Sequence, residues 1–186
     1  MRRRRSISDS KVVSHATLVR SLAILAVAGG CKVASEPAAA EETAFCDGVP
    51  QIEIAGRVTD TADILSGPEE AQLSERLARY EARTRHQMVV ATTPSLHGVR
   101  VDNFGTCLGI RWGIGREAED DGIVLLIAPN ERQMQIATGS GMEKILTDDK
   151  ALAVIRRMTP HFEQGDYAGG LSTGIEAIAA QTGDPQ

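Results

Sequence analysis

The chain has 186 residues, 42% of them hydrophobic and 24% charged, with a formal net charge of −5. That is enough for one domain with its own core and too little for two ordinary ones. The acidic balance deepens once the basic N-terminus is set apart, and a surface of that sign repels phosphate backbones, which excludes nucleic acid as the partner.

The first thirty residues have the order of a secretory signal: Arg2 to Arg5 and Lys11, then the apolar stretch Leu22 to Ala28, then Gly29-Gly30 before Cys31. From Ser21 to Gly30 the apolar segment is ten residues long, against the roughly twenty that a membrane-spanning helix needs. Ala28-Gly29-Gly30-Cys31 resembles the lipobox of bacterial lipoproteins, in which the cysteine is lipidated and becomes the first mature residue. Ala28 stands where leucine is usual, and a plain cleaved signal is the other reading. Lys32 follows, without the aspartate that retains such proteins in the inner membrane. The expected location is therefore the periplasmic side of a bacterial outer membrane, or the periplasm, with the lipid on Cys31 as the membrane contact. Removing residues 1–30 leaves fourteen Lys/Arg against twenty-four Asp/Glu, a net charge of −10.

Residues 31–45, including "KVASEPAAAEETA", are small and acidic without hydrophobic period, as in a flexible tether. The folded domain is expected over 46–186. Cys46 and Cys107 either pair, in an oxidising compartment, or are two small buried thiols.

Ser66-Gly67-Pro68-Glu69-Glu70 starts a helix, with Leu73, Leu77 and Tyr80 on one face and an end near Thr84. "MVVATT" (Met88 to Thr93) is a strand ending at Pro94. A second helix covers Val101 to Trp112, weakened by Gly105 and Gly109. Ile123 to Ala128 is an unbroken apolar strand that must be buried on both faces. After a turn at Pro129-Asn130-Glu131 a further strand alternates Met134, Ile136 and Thr138 with polar or small residues. Thr147 caps a third helix with Leu152, Ile155 and Met158 as its face, ending at Pro160. After the turn Gln164-Gly165-Asp166, a fourth helix carries Tyr167, Leu171, Ile175 and Ile178.

This order predicts a single α/β domain, a layered α/β/α sandwich with a small mixed sheet and helices on both faces. The strands at 88–93 and 123–128 should be parallel, with a right-handed helical crossover, and the next strand should return as a hairpin.

That hairpin sets Gly139-Ser140-Gly141 beside Asp120-Asp121-Gly122, with Asp148 and Asp149 about ten residues on. Asp120, Asp121, Asp148 and Asp149 are then candidate hard-oxygen ligands, of the kind that suits Ca²⁺ or Mg²⁺ rather than a soft metal. The alternative is a set of solvated gatekeepers and ordinary helix caps. Gly139, Ser140 and Gly141 follow a strand, where backbone amides can cradle an anion. No nucleophile–base motif supports serine catalysis at Ser140. His86, His97 and His161 read as surface or helix-end residues.

Val58-Thr59-Asp60-x-Ala62-x-Ile64-Leu65-Ser66, Trp112-Gly113-Ile114-Gly115, Asp121-Gly122 with the strand after it, Thr138-Gly139-Ser140-Gly141-Met142-Glu143 and Pro160-His161-Phe162-x-x-Gly165-Asp166-Tyr167 together resemble the TPM domain. That family includes thylakoid-lumen proteins of photosystem II repair, an auxiliary protein of animal acetylcholine receptors and many exported bacterial proteins. The resemblance implies an extracytoplasmic α/β sandwich, acid phosphatase activity as in some plant members, or calcium binding as in some bacterial ones. It alone adds Asp60 and Asp63 to the acids of the site.

Three functions follow as expectations. The first is a tethered Ca²⁺-binding interaction module of the cell envelope with unnamed envelope proteins as partners. The second is a phosphatase-like hydrolase of phosphate monoesters with Asp120 or Asp121 as nucleophile, Asp148 as its ionic partner and Lys144 or Arg132 on the substrate. The third is a purely structural envelope protein.

Overall fold

The computed structural model describes residues 45–184. The expected signal segment 1–30, the lipidation site Cys31 and all but the last residue of the tether 31–45 lie outside the described residues.

Strands β1 (Val58–Asp60), β2 (Met88–Thr92), β3 (Ile123–Ala128) and β4 (Gln133–Thr138) alternate with helices α1 (Gly67–Thr84, between β1 and β2) and α2 (Val101–Trp112, between β2 and β3). Helices α3 (Asp148–Glu163) and α4 (Tyr167–Gln181) follow the sheet. The spatial order is β1-β2-β3-β4, with β1, β2 and β3 parallel and β4 antiparallel to β3. The layered α/β architecture is the one that hydrophobic periodicity predicts. The sheet has one strand more than periodicity marks, because β1 is three residues long and so short a run shows no alternation.

Alternation along β2 and β3 divides the interior in two. Val90, Ile123, Leu125 and Ile127 meet Leu73, Leu77 and Tyr80 of α1, Val154 and Met158 of α3 and Leu171, Ile175 and Ile178 of α4. Val89, Ala91, Val124 and Leu126 on the other face meet Phe104, Cys107 and Leu108 of α2. Every residue of β2 and β3 is buried, as helices on both faces require.

The glycines of α2 have a packing reason. A methyl on Gly105 would lie 3.3 Å from Gln135 Cγ, and one on Gly109 would lie 3.4 Å from Val124 Cγ2. Their absence lets the helix backbone sit close over β3 and β4.

Cys46 and Cys107 form a disulfide with Cα atoms 5.5 Å apart. The Arg111 guanidinium donates to the carbonyls of Cys46 (2.7 Å), Val49 (2.9 Å) and Pro50 (3.1 Å), and Trp112 Nε1 donates to Ile52 O (2.8 Å). The strap 46–52 is thereby clamped to α2. At the other end of the chain, Tyr80 and Thr182 share a buried hydroxyl hydrogen bond (2.7 Å), and Arg83 chelates Asp184 (2.7 and 2.5 Å).

Two sequence expectations are corrected. Helix α3 does not stop at Pro160 but runs on to Glu163. Proline removes only one donor from the ladder, the one that would meet Arg156, four residues back on the exposed side of the helix. Phe162 continues the packing against the core and against Tyr167, at 5.4 Å between ring centroids. The buried stripe of α3 is also rotated from the expected one. Ala151, Val154 and Met158 face inward, whereas Leu152 is 48% exposed.

Candidate functional site

The hairpin brings the end of β4 against the acid loop before β3. Gly139 N–H donates to Gly122 O (3.0 Å), Gly141 N–H to Asp120 O (2.9 Å) and Ser140 N–H to Asp120 Oδ2 (2.7 Å). All three amides of the candidate anion cradle are thus engaged in holding the acid loop. Asp120 sits at φ 45°, a left-handed conformation that aspartate tolerates better than most residues. Gly141 must lack a Cβ, since one there would overlap the Glu119 carbonyl oxygen.

Asp121, the next residue, points the other way and is 3% exposed. Its Oδ1 accepts from Arg116 N–H (2.9 Å), and its Oδ2 accepts from Arg116 Nε (3.0 Å) and Nη2 (2.6 Å). His86 Nδ1 lies 2.7 Å from the same Oδ2. Burial by itself would raise the carboxyl's pKa. The Arg116 guanidinium and backbone N–H, with His86, outweigh it and hold the group at about 2.

Beside this loop lies an open cleft of about 690 Å³ between α2 and the β3–β4 end, with Gly109, Gly113, Glu117, Asp120, Ser140 and Glu143 among its walls. Gly109, which lets α2 sit close to the sheet, also forms part of this wall, and Glu117, Asp120 and Glu143 are exposed.

The acids inherited from the resemblance occupy the other end of the sheet. Asp60 Oδ2 accepts from Ile64 N–H (3.0 Å) and Leu65 N–H (2.9 Å), and its Oδ1 accepts from the Thr92 hydroxyl. Thr61 Oγ1 donates to Thr92 O (2.6 Å), so Asp60 staples the turn from β1 into α1. Asp63 in that turn is exposed, at φ 52°. Asp60 is level with Thr92, and Thr92 with Ile127, six residues beyond Asp121. At about 3.3 Å per residue the two ends are separated by roughly 20 Å. One ion cannot bridge them.

Asp148 begins α3 in its exposed first turn, where a carboxylate complements the helix dipole. Lys144 is exposed in the loop before it, and Arg132 stands at the β3–β4 turn, the far end of the hairpin from Asp120. Among the described residues, no three or more His, Cys, Asp or Glu side chains are gathered so as to hold a metal ion.

The sequence alone does not mark His86 and Arg116 as site residues. The parallel register that sets Met88 opposite Ile123 also sets His86 level with Asp121, so aligning the starts of the two apolar strands is the signal that finds it. Arg116 reaches Asp121 only because the loop curls through Gly113 (φ 59°) and Gly115 (φ 107°). His161 lies in the last turn of α3 beside Asp166, at 2.8 Å, and that contact together with the Gly169 N–H lowers the Asp166 pKa.

None of the curated proteins matches the chain in sequence. Among solved structures, it resembles the N-terminal domain of a protein from P. gingivalis, with 33% identity and a TM-score of 0.63 over 72% of this chain and 87% of that one. The N-terminal domain of cg2496 from Corynebacterium glutamicum shares 18% identity (TM-score 0.56, 74% of this chain, 86% of that one). BA42 from the psychrophilic bacterium Bizionia argentinensis also shares 18% (TM-score 0.57, 66% and 83%); at that identity both show the fold alone. The TPM domain family model matches residues 58–181, from β1 to the end of α4, and the chain therefore belongs to the TPM domain family.

Proposed function

We propose that this TPM domain is an exported, lipid-anchored binding module of the cell envelope that takes up Ca²⁺ weakly at the acid-rimmed cleft and engages a protein partner there. The N-terminal sequence supports export and anchoring at Cys31. No described helix is long and apolar enough to cross a membrane.

The observation that carries the reading is the division of labour between two adjacent aspartates. Asp121 is buried and hydrogen-bonded by Arg116 and His86, so its oxygens face protein. Asp120 shares the wall of an open cleft with Glu117 and Glu143. These are all-oxygen, hard donors of the kind Ca²⁺ prefers. They are not preassembled, so an ion must draw the side chains together, and its affinity belongs in the range of dissociation constants on the order of 10⁻⁴ to 10⁻³ M.

The phosphatase reading asks Asp121 to attack phosphorus. Its oxygens accept from Arg116 and His86, and the amides of Gly139, Ser140 and Gly141 donate to the acid loop, which favours binding over hydrolysis.

Calcium titration by calorimetry and thermal melting tests the proposal on the unmodified chain, on Asp120→Asn/Glu143→Gln and on Asp63→Asn. A saturable rise in Tm that only the cleft variant loses supports it. A rise lost in Asp63→Asn instead moves the ion to the β1–α1 turn. No rise, together with turnover of phosphate esters at acidic pH that Asp121→Asn abolishes, overturns it in favour of the enzyme.

A further inference from the structure

β4 forms one edge of the sheet, and its register fixes which backbone groups face outward. Gly139 N–H bonds to Gly122 O. Alternation along an antiparallel ladder then turns Ala137, Gln135 and Gln133 toward β3 and turns Met134, Ile136 and Thr138 away from it. β3 agrees, since Ile123 N–H donates to Gln87 O and Ile127 O accepts from Thr93 N–H, both toward β2. Among the described residues, the outer groups of β4 have one partner, the Gln135 side-chain amide on Ile136 O at 3.3 Å.

Open edges are ordinarily blunted by a lysine, a proline, a bulge or shortness. β1, the other edge, is three residues long. β4 reads "QMQIAT", without charge or proline, and pairs with β3 over six consecutive positions without a bulge. Large apolar side chains are also exposed on the elements that flank it: Ile110 on α2 (39%), Ile145 in the turn after β4 (37%) and Leu152 on α3 (48%). Both helices pack against β4.

Charge selects the occupant. Arg132 immediately precedes the strand, and the cleft at its other end, beside Ser140, is lined by three carboxylates (Glu117, Asp120 and Glu143) and one guanidinium (Arg116), the latter committed to Asp121. A parallel copy of the strand would set acid against acid, whereas an antiparallel copy sets arginine against acid at both ends.

We propose that β4 pairs with β4 of a second copy of this chain, antiparallel across a twofold axis at Ile136, to give one continuous eight-stranded sheet. In that register the outward-facing residues meet outward-facing ones: Met134 lies opposite Thr138 of the other copy, and Ile136 opposite its own counterpart. Arg132 lies opposite Ser140 and the acids around it. The contact is isologous and closes on itself, so it ends at a dimer. It goes beyond the cation reading and does not depend on it.

Sedimentation equilibrium of the purified chain, with EDTA present to remove cation effects, tests it. The average mass rises with concentration toward twice that of one chain. Thr138→Pro deletes an outward N–H and no bond to β3, and keeps the mass at one chain. Arg132→Glu raises the dissociation constant about tenfold, as like charges meet at both ends, and adding Glu143→Arg to that variant restores pairing. The reciprocal charge swap stands as the deciding variant if circular dichroism shows that Thr138→Pro does not fold. A single-chain mass at every concentration overturns the proposal, whether or not a foreign peptide occupies the edge. So does association that survives both Thr138→Pro and Arg132→Glu unchanged.

Discussion

Asp121→Asn isolates the lock beneath the acid loop. The carboxyl falls from an ordinary 3.8 to about 2 in the folded chain, and at about 1.4 kcal/mol for each tenfold in proton affinity this amounts to about 2 kcal/mol. The side chain is only 4% exposed, so solvent screening does little to reduce that figure. The sign follows from the direction of the change. A carboxyl whose folded pKa is depressed stabilises the fold above its unfolded value, and that stability is lost as pH falls from about 4 through about 2. Asparagine keeps the shape and loses the charge, leaving Arg116, itself partly exposed, to be solvated by water. Urea denaturation should therefore give a difference between the unmodified chain and Asp121→Asn of about 2 kcal/mol at pH 7, shrinking steadily below pH 4. A difference that stays constant from pH 7 to pH 2, or one lost in the noise at pH 7, would refute the assignment of Asp121 as an ionised structural lock.

Replacing Cys46 and Cys107 by alanine releases a loop spanning 61 residues, and chain entropy sets the loss at up to about 4 kcal/mol. Chemical denaturation measures it, and proteolysis near residues 46–52 should become faster as the strap loosens. Gly141→Ala forces a methyl against the Glu119 carbonyl, so the acid loop must shift. The expected cost is about 1–3 kcal/mol by denaturation, with loss of whatever Ca²⁺ response the unmodified chain has. Met158→Ala, at a position with no exposed area, should cost about 2–5 kcal/mol. Leu152→Ala should stay within about 0.5 kcal/mol, and an equal loss at both positions would contradict the rotated face of α3.

The layered α/β class, the parallel crossover into β3 and the hairpin after it are legible in the order and pattern of residues. Ile123 to Ala128 can be satisfied only by cover on both faces, and the alternation of Gln133–Thr138 marks the strand that returns by hairpin, whereas its place at the sheet's edge comes from the strand order. Legible too is the meeting of Gly139–Gly141 with Asp120–Gly122, because a hairpin leaves no other place for them. Tertiary structure decided what those acids do. Asp120 and Asp121 are neighbours of identical chemistry, and one φ of 45° turns one toward the cleft and the other into the Arg116 and His86 contacts. Local pattern does not encode this, because His86 lies 35 residues away and comes level with Asp121 only through the register of β2 on β3. Register likewise places Asp60 and Asp121 at opposite ends of the sheet, since parallel strands carry their C-terminal residues to one side and their N-terminal residues to the other.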